Sequence, residues 1–400
     1  MSAMRLRVLA VDHTGGVGPF RRKFAALAAE PGIDLTVLAP RLWVENFRRV
    51  RLDPGAAEQA PGYKLRAGSV VWPGYENRGF FVTGLAGALA AARPQILHLW
   101  EEPFSVFALQ ALWLRRLLAP RSQALFFSSD NLTRDGRYPY RPSRFYRQVE
   151  RYAFRSCACG TAVSREVEEV LRIKGFRGHI EVVPHGIDLE DFPERREYGE
   201  EASLDGEPFP RPVVGYVGRL LQMKGVETLL RAFAALPWMR DGEGPTLLIV
   251  GDGPDRDAFV RTAAALGLGN RVRFVPGASH DRMPEVYRTI DVLVVPSRTT
   301  PGWKEQFGRV LIEGMASGCV VIGSSSGAIP HVLGDAGLVF PEDDVPALTA
   351  AIRRALEEPA LSDTLRSKGR ERVRREFTWR AVAAKLAGVY REMMARAEAP

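Results

Sequence analysis

The sequence predicts an α/β protein built from two doubly wound, parallel-sheet domains facing each other across a cleft. Short runs rich in Val, Ile, Leu and Phe alternate with amphipathic stretches along the chain, as expected of parallel strands covered on both faces by crossover helices. Four hundred residues exceed the roughly 100–200 that one domain commonly holds. Near the middle, "DFPERREYGEEASLDGEPFPRP" from Asp191 to Pro212 is charged, proline-rich and without period, as a linker should be.

In chain order, "LRVLAVD", "IDLTVLAP", "PQILHLW", "QALFFSS" and "ACGTAVS" read as the strands of the first half. In the second half "PVVGYVG", "PTLLIVG", "RVRFVPG", "DVLVVPS", "CVVIGSS" and "GLVF" do the same. Helical patterns such as "SREVEEVLRIKG" and "VETLLRAFAAL" lie between them, and "FTWRAVAAKLAGVYREMMARAEA" is a long amphipathic helix followed by no strand. The expected boundaries are a first domain over 1–192, a linker over 193–211 and a second domain over 212–379. Open sheets of this kind bind ligands at the carboxyl ends of their strands, so candidate residues are sought there.

An apolar fraction of 46% and a charged fraction of 26% are ordinary for a soluble globular protein. "MSAMRLRVLAV" is too short an apolar run for a signal peptide. "FFVTGLAGALAAA", from Phe80, falls short of the about 20 residues a spanning helix needs. Cys157, Cys159 and Cys319 form neither an even disulfide framework nor a metal-ligand spacing. A reducing, cytoplasmic compartment and no bound metal are therefore expected. The net charge of +8 gathers in the first half at Arg21, Arg22 and Lys23, at Arg48, Arg49 and Arg51, and at Arg115 and Arg116. Solvated helix faces explain these groups, as does attraction to anionic lipid or phosphorylated substrates. No nucleic-acid module is present in the sequence pattern.

Three stretches could carry chemistry. In "GYVGRLLQMKG" the cations Arg219 and Lys224 follow a strand, beside glycines that allow close backbone approach; a diphosphate suits that loop, and so does plain solvent. "IVGDGPDRDAF" is a second strand-to-helix turn, either a nucleotide loop or a capped tight turn, and not a dinucleotide fingerprint. In "EQFGRVLIEGMASGCVVI" a loop carries Glu305, and the amides of Phe307 and Gly308 open a helix containing Glu313. Eight helical steps would set the two glutamates about 12 Å apart. They read either as incidental charge or as two carboxylates flanking one ligand.

Read together, "TGGVG", "ILHLWEEP", "AVSREVEEVL", "VVPHGID", "GRLLQMKG", "GDGP", "DVLVVPS" and "EQFGRVLIEGMASG" resemble glycosyltransferase family four, the retaining nucleotide-sugar transferases of GT-B fold. The likeness runs in order over nearly the whole chain. It implies transfer of a hexose from a UDP- or GDP-linked sugar to a hydroxyl of a glycan, lipid-linked or small-molecule acceptor, without cofactor or divalent metal. Arg219 and Lys224 are implied to hold the donor diphosphate, Glu313 the ribose, and Glu305 the transferred sugar. Phe307 and Gly308 would present amides to the β-phosphate or sugar, Gly16 would face the diphosphate, and Val275 and Pro276 would cradle the base through backbone groups. His98 matches a histidine near the reacting sugar. Where the family often has a second histidine this chain has Trp100, followed by Glu101 and Glu102, which are taken as acceptor contacts. The last helix, 380–400, is implied to cross back and complete the first domain. Peripheral contact with an anionic membrane is expected at its inner face, with Trp43, Phe47, Arg48, Arg49 and "LWLRRLL" from Leu112 as the candidate surface. A nucleotide-sugar epimerase of the same fold, a dinucleotide-dependent oxidoreductase and a non-catalytic sugar-nucleotide-binding protein remain alternatives.

Overall fold

The computed structural model describes residues 5–16, 18–45, 48–52, 62–133, 143–193, 202–204, 207–239, 244–279 and 282–398. Val17, Phe47 and residues 194–201 and 205–206 of the expected linker lie outside them. The chain forms two compact units, one of residues 1–186 and 379–400, the other of residues 187–378.

In the first unit β1 (Leu6–Val11), β2 (Ile33–Pro40), β3 (Lys64–Gly68), β4 (Ile96–Leu99), β5 (Gln123–Ser128), β6 (Cys159–Ala162) and β7 (His179–Val182) make one sheet. Its order is β7-β6-β5-β4-β1-β2-β3, parallel throughout. In the second unit β8 (Val213–Val217), β9 (Thr246–Val250), β10 (Val272–Val275), β11 (Val292–Val295), β12 (Val320–Ser324) and β13 (Leu338–Phe340) follow the order β10-β9-β8-β11-β12-β13, again parallel. Each order reverses direction once, beside the unit's first strand. Those reversals, between β1 and β4 and between β8 and β11, are where an open α/β sheet leaves a crevice for ligand.

All eleven expected strands are present. Two more, β3 and β7, are the edges of the first sheet, where covering is incomplete: "KLRAG" alternates charged and apolar residues, and "HIEV" buries one residue fully. An edge strand lacks the continuous apolar run that marks a central one.

Helices α1 (Arg22–Ala28), α2 (Leu85–Ala92), α3 (Val106–Leu118), α4 (Ser143–Ser156) and α5 (Arg165–Ile173) cover the first sheet, joined by the last helix, Trp379–Glu398. Ser164 caps α5 by accepting the Val167 N–H at 3.5 Å. The last helix lies against α1; Trp379, Leu386 and Tyr390 enter one core with Phe24, Leu27 and Val37. In the second unit α6 (Val226–Ala234) follows β8 and α7 (Arg309–Ala316) follows the loop after β11.

The crossing points differ from the expected 192 and 379. The Ile187 N–H donates to the Phe377 carbonyl at 2.9 Å, and Phe192 packs 6.0 Å from Tyr287, so residues 187–192 belong to the second unit. Trp379 belongs to the first, where its ring lies against Gly186. Part of the expected linker is ordered as a hairpin of Ala202–Leu204 with Glu207–Phe209, whose Leu204 and Phe209 are buried. No described helix is long and apolar enough to cross a membrane.

Candidate functional site

At the reversal point of the second sheet, the loop leaving β8 is pinned to its neighbours by backbone. Leu220 N–H donates to Asp252 O at 2.9 Å, and Gln222 N–H to the Asp255 carboxylate at 2.8 Å. Gly225 ends the loop at φ +69°, and a Cβ there would lie 1.8 Å from the Pro296 carbonyl oxygen. Only glycine allows that approach, and the approach brings Lys224 to the end of β11. Lys224 Nζ sits 2.8 Å from Glu305 Oε2 and 4.4 Å from the centre of the Trp303 ring. Ser297 Oγ donates to the same carboxylate oxygen at 2.7 Å. Glu305 is held in turn at Gly327, where φ is +52° and a Cβ would lie 2.1 Å from the Glu305 carbonyl. Arg219 is exposed on the same loop, its carbonyl accepting from Tyr216 Oη at 2.8 Å. Lys224 and a serine-held carboxylate thus meet at the end of β11, with the exposed Arg219 on the same loop as Lys224, a set suited to an anionic, hydroxyl-rich ligand.

The other expected residues of this unit take different places. Gly308 precedes α7 at φ +77°, with no side-chain cap at the helix start. Phe307 is buried and meets Phe377 edge-on at 5.8 Å, so its ring belongs to the core. Glu313 is buried, accepts from Tyr287 Oη at 2.7 Å and pairs with Arg309 at 3.3 Å. Burial, reinforced by Glu313, drives the Tyr287 hydroxyl well above its ordinary pKa, so that phenol stays a donor. Glu305 and Glu313 therefore hold separate sets of partners. The Val275 carbonyl accepts from Gly251 at 3.0 Å, and Pro276 is exposed.

In the first unit the corresponding reversal gathers a different cluster. Asp12, at the end of β1, is fully buried; Lys23 Nζ lies 2.6 Å from it, and Thr14 donates to it through backbone and hydroxyl at 2.7 Å each. Burial opposes ionisation, yet Lys23 and His13 hold Asp12 below its usual pKa. Glu101, after β4, accepts the His13 N–H at 2.8 Å and contacts Nδ1 at 2.7 Å. Burial alone would lower the His13 pKa, but the Glu101 carboxylate raises it to about 9. Burial likewise pushes Glu101 up, against the pull of His13. The ligand atoms of Asp12, His13 and Glu101 lie within 4.8 Å of one another, near enough for one cation, and the Lys23 ammonium meets Asp12 there. Gly16 is buried beside the Pro40 carbonyl.

Three residues expected at the site in this unit are held as follows. His98 is completely buried, its Nδ1 2.6 Å from Tyr390 Oη and its ring stacked 4.6 Å from Trp100. Burial, with Lys23 nearby, lowers its pKa to about 3. Its ring is therefore enclosed in the core, and His13 is a second imidazole at these strand ends. Glu101 is buried against His13. Glu102 is occupied by Ser128 Oγ and Ser129 N–H, each at 2.7 Å; burial, then Asp130, pushes its pKa up to about 7.

Sequence reasoning missed Asp12, His13 and Lys23, and also Ser297, Trp303 and Tyr287. The available signal was position: "VDH" and "VVPS" both stand where a buried strand ends. Lys23 was hidden in a basic run that reads as surface.

The family description "Glycosyl transferases group 1" matches residues 204–372 and "Glycosyltransferase Family 4" matches residues 14–191. The D-inositol 3-phosphate glycosyltransferase of Saccharomonospora viridis is 32% identical over 54% of this chain and 51% of that protein. The 2-deoxystreptamine N-acetyl-D-glucosaminyltransferase of Streptomyces fradiae is 33% identical over 54% of this chain and 51% of its own. The chain thus spans about half the length of the curated relatives it matches. Among solved structures, sucrose-phosphate synthase from Thermosynechococcus elongatus superposes with a TM-score of 0.69 at 24% identity, over 98% of this chain and 100% of that one. Anabaena HepE in complex with UDP gives 0.67 at 18% identity, over 97% and 100%. With both of its units matched in order, and with the two parallel Rossmann-like sheets of the GT-B fold, the chain belongs to glycosyltransferase family four.

Proposed function

We propose that this chain is a retaining glycosyltransferase that moves a hexose from a UDP- or GDP-linked sugar to an acceptor hydroxyl. The observation that carries the reading is Lys224 paired with the serine-held Glu305 at the reversal of the second sheet. The HepE structures hold UDP and UDP-glucose, which supports a nucleotide sugar as the partner here.

The chemistry follows from charge. A diphosphate entering this loop would draw Lys224 from Glu305 and meet the exposed Arg219, leaving the Glu305 carboxylate for hydroxyls of the sugar. Glu313, whose outer partner Arg309 is part-exposed, would take the ribose. The bond between the anomeric carbon and the β-phosphate oxygen breaks as the acceptor oxygen bonds to the same face. The acceptor proton passes to the departing phosphate oxygen. Charge growing on that phosphate is stabilised by Lys224, Arg219 and the amides of Phe307 and Gly308. Two fixed cations supply this without a divalent ion, so transfer is expected to persist in EDTA. The buried thiols Cys157, Cys159 and Cys319 suit a reducing, cytoplasmic setting. The acceptor is a glycan, a lipid-linked sugar or a small molecule.

The test is product analysis with labelled UDP- and GDP-sugars. Wild type is expected to give a product of retained anomeric configuration, with or without EDTA. Lys224→Ala is expected to lose on the order of 10²–10³-fold in turnover, the scale of removing one stabiliser of transition-state charge, while keeping its circular dichroism. Full turnover in Lys224→Ala, or inverted product, contradicts the reading.

A further inference from the structure

One outer layer of the first unit is not used by the proposed transfer. Helices α2, α3 and α4 pack side by side, with α3 between the other two. α3 turns Phe107, Ala108, Ala111 and Leu112 into the core, yet its outer side is apolar as well. Trp113 is 57% exposed, Leu117 60% and Leu118 45%. A helix apolar on both sides is ordinarily covered on both. Arg116 on α3, and Arg144, Phe145 and Arg151 on the adjoining α4, are also exposed. The outer side of α2 is alanine and glycine. Across the three helices the one acidic residue is Glu150, which is buried and paired with Lys174 at 3.4 Å. The exposed residues of these three helices are therefore basic, apolar or neutral, with no carboxylate among them.

That combination selects its occupant. A protein surface burying these arginines would have to place carboxylates among the apolar contacts. A bilayer surface offers both parts at once: phosphate groups for guanidinium, and an acyl boundary for Trp113, Leu117 and Phe145. We propose that the α2–α3–α4 face of the first unit docks on a bilayer rich in anionic phospholipid. Of the other surface the sequence suggested, Trp43 is buried at 1% exposure, Arg49 is exposed, and Phe47 lies outside the described residues. The proposal gives the expected membrane contact a location and does not depend on the transfer reading.

The experiment is co-sedimentation of the full chain with phosphatidylcholine vesicles, with and without phosphatidylglycerol, at low and high salt. Binding is expected only with phosphatidylglycerol, and is expected to weaken as salt rises. Arg144→Ala and Arg151→Ala should each weaken partition about fivefold, as for about 1 kcal/mol per basic residue near an anionic surface. The double variant Trp113→Ser, Leu117→Ser should also release the protein at unchanged charge. All these positions are exposed, and a far-UV circular dichroism spectrum and melting temperature matching wild type serve as the check that each variant is folded. Equal binding to pure phosphatidylcholine, no binding to either vesicle, or vesicle binding untouched in the Trp113/Leu117 variant would overturn the proposal. The last result would show a general polyanion surface and no bilayer docking.

Discussion

A carboxylate as enclosed as Glu305 is tolerated because each partner is an ionised or strong donor: Lys224 at 2.8 Å and Ser297 at 2.7 Å on the same oxygen. The same rule governs His13 and Glu101 in the first unit, with a consequence for pH. The His13 pKa is raised above its ordinary 6.5, to about 9. Its pairing therefore stabilises fully below about 6.5, the unfolded value, and that contribution fades as pH climbs through the folded value. Melting temperatures of wild type and His13→Gln should differ most at neutral pH and below, and converge toward pH 9. A difference constant across that range would contradict the pairing. His98 shows how far a side chain's surroundings lie from its own stretch of sequence. Its place after an apolar run was legible, but Tyr390, 292 positions away in sequence, is what takes it into the core.

At the scale of elements, the central strands were legible because burial on both faces leaves a continuous apolar run. The edge strands β3 and β7 were not, because partial exposure erases that signal. Loops that carry the site were legible as strand ends with glycine, but which loops touch was not. Gly225 makes the point: its role lies in the Pro296 carbonyl, on a different loop. Gly225→Ala must move that loop or strain its own backbone, at about 1–3 kcal/mol, read from urea unfolding. Because Lys224 precedes it, nucleotide binding should weaken in the same variant. Normal stability with normal binding would contradict the close approach as the reason for glycine.

For the molecule as a whole, sequence order and spatial unit part company at the end of the chain. Trp379–Glu398 follows the second unit in sequence yet supplies Trp379, Val382, Leu386 and Tyr390 to the first unit's core. Its amphipathic pattern was legible, but periodicity cannot say which core a helix enters; that part came from the likeness to a family. Ending the chain at Thr378 should uncover the α1 face, strip His98 of its hydrogen bond and abolish the first unit's thermal transition in calorimetry. Unfolding identical to that of the full chain would place the helix wrongly. The Lys224–Glu305 pair is tested by thermal stabilisation with UDP, GDP, ADP and TDP in wild type, Lys224→Ala and Glu313→Ala. One nucleotide is expected to stabilise wild type, by about 2.7 kcal/mol at a hundredfold excess over Kd, and both variants are expected to lose the effect. Stabilisation by none of the four, or undiminished stabilisation of Lys224→Ala, would contradict this expectation.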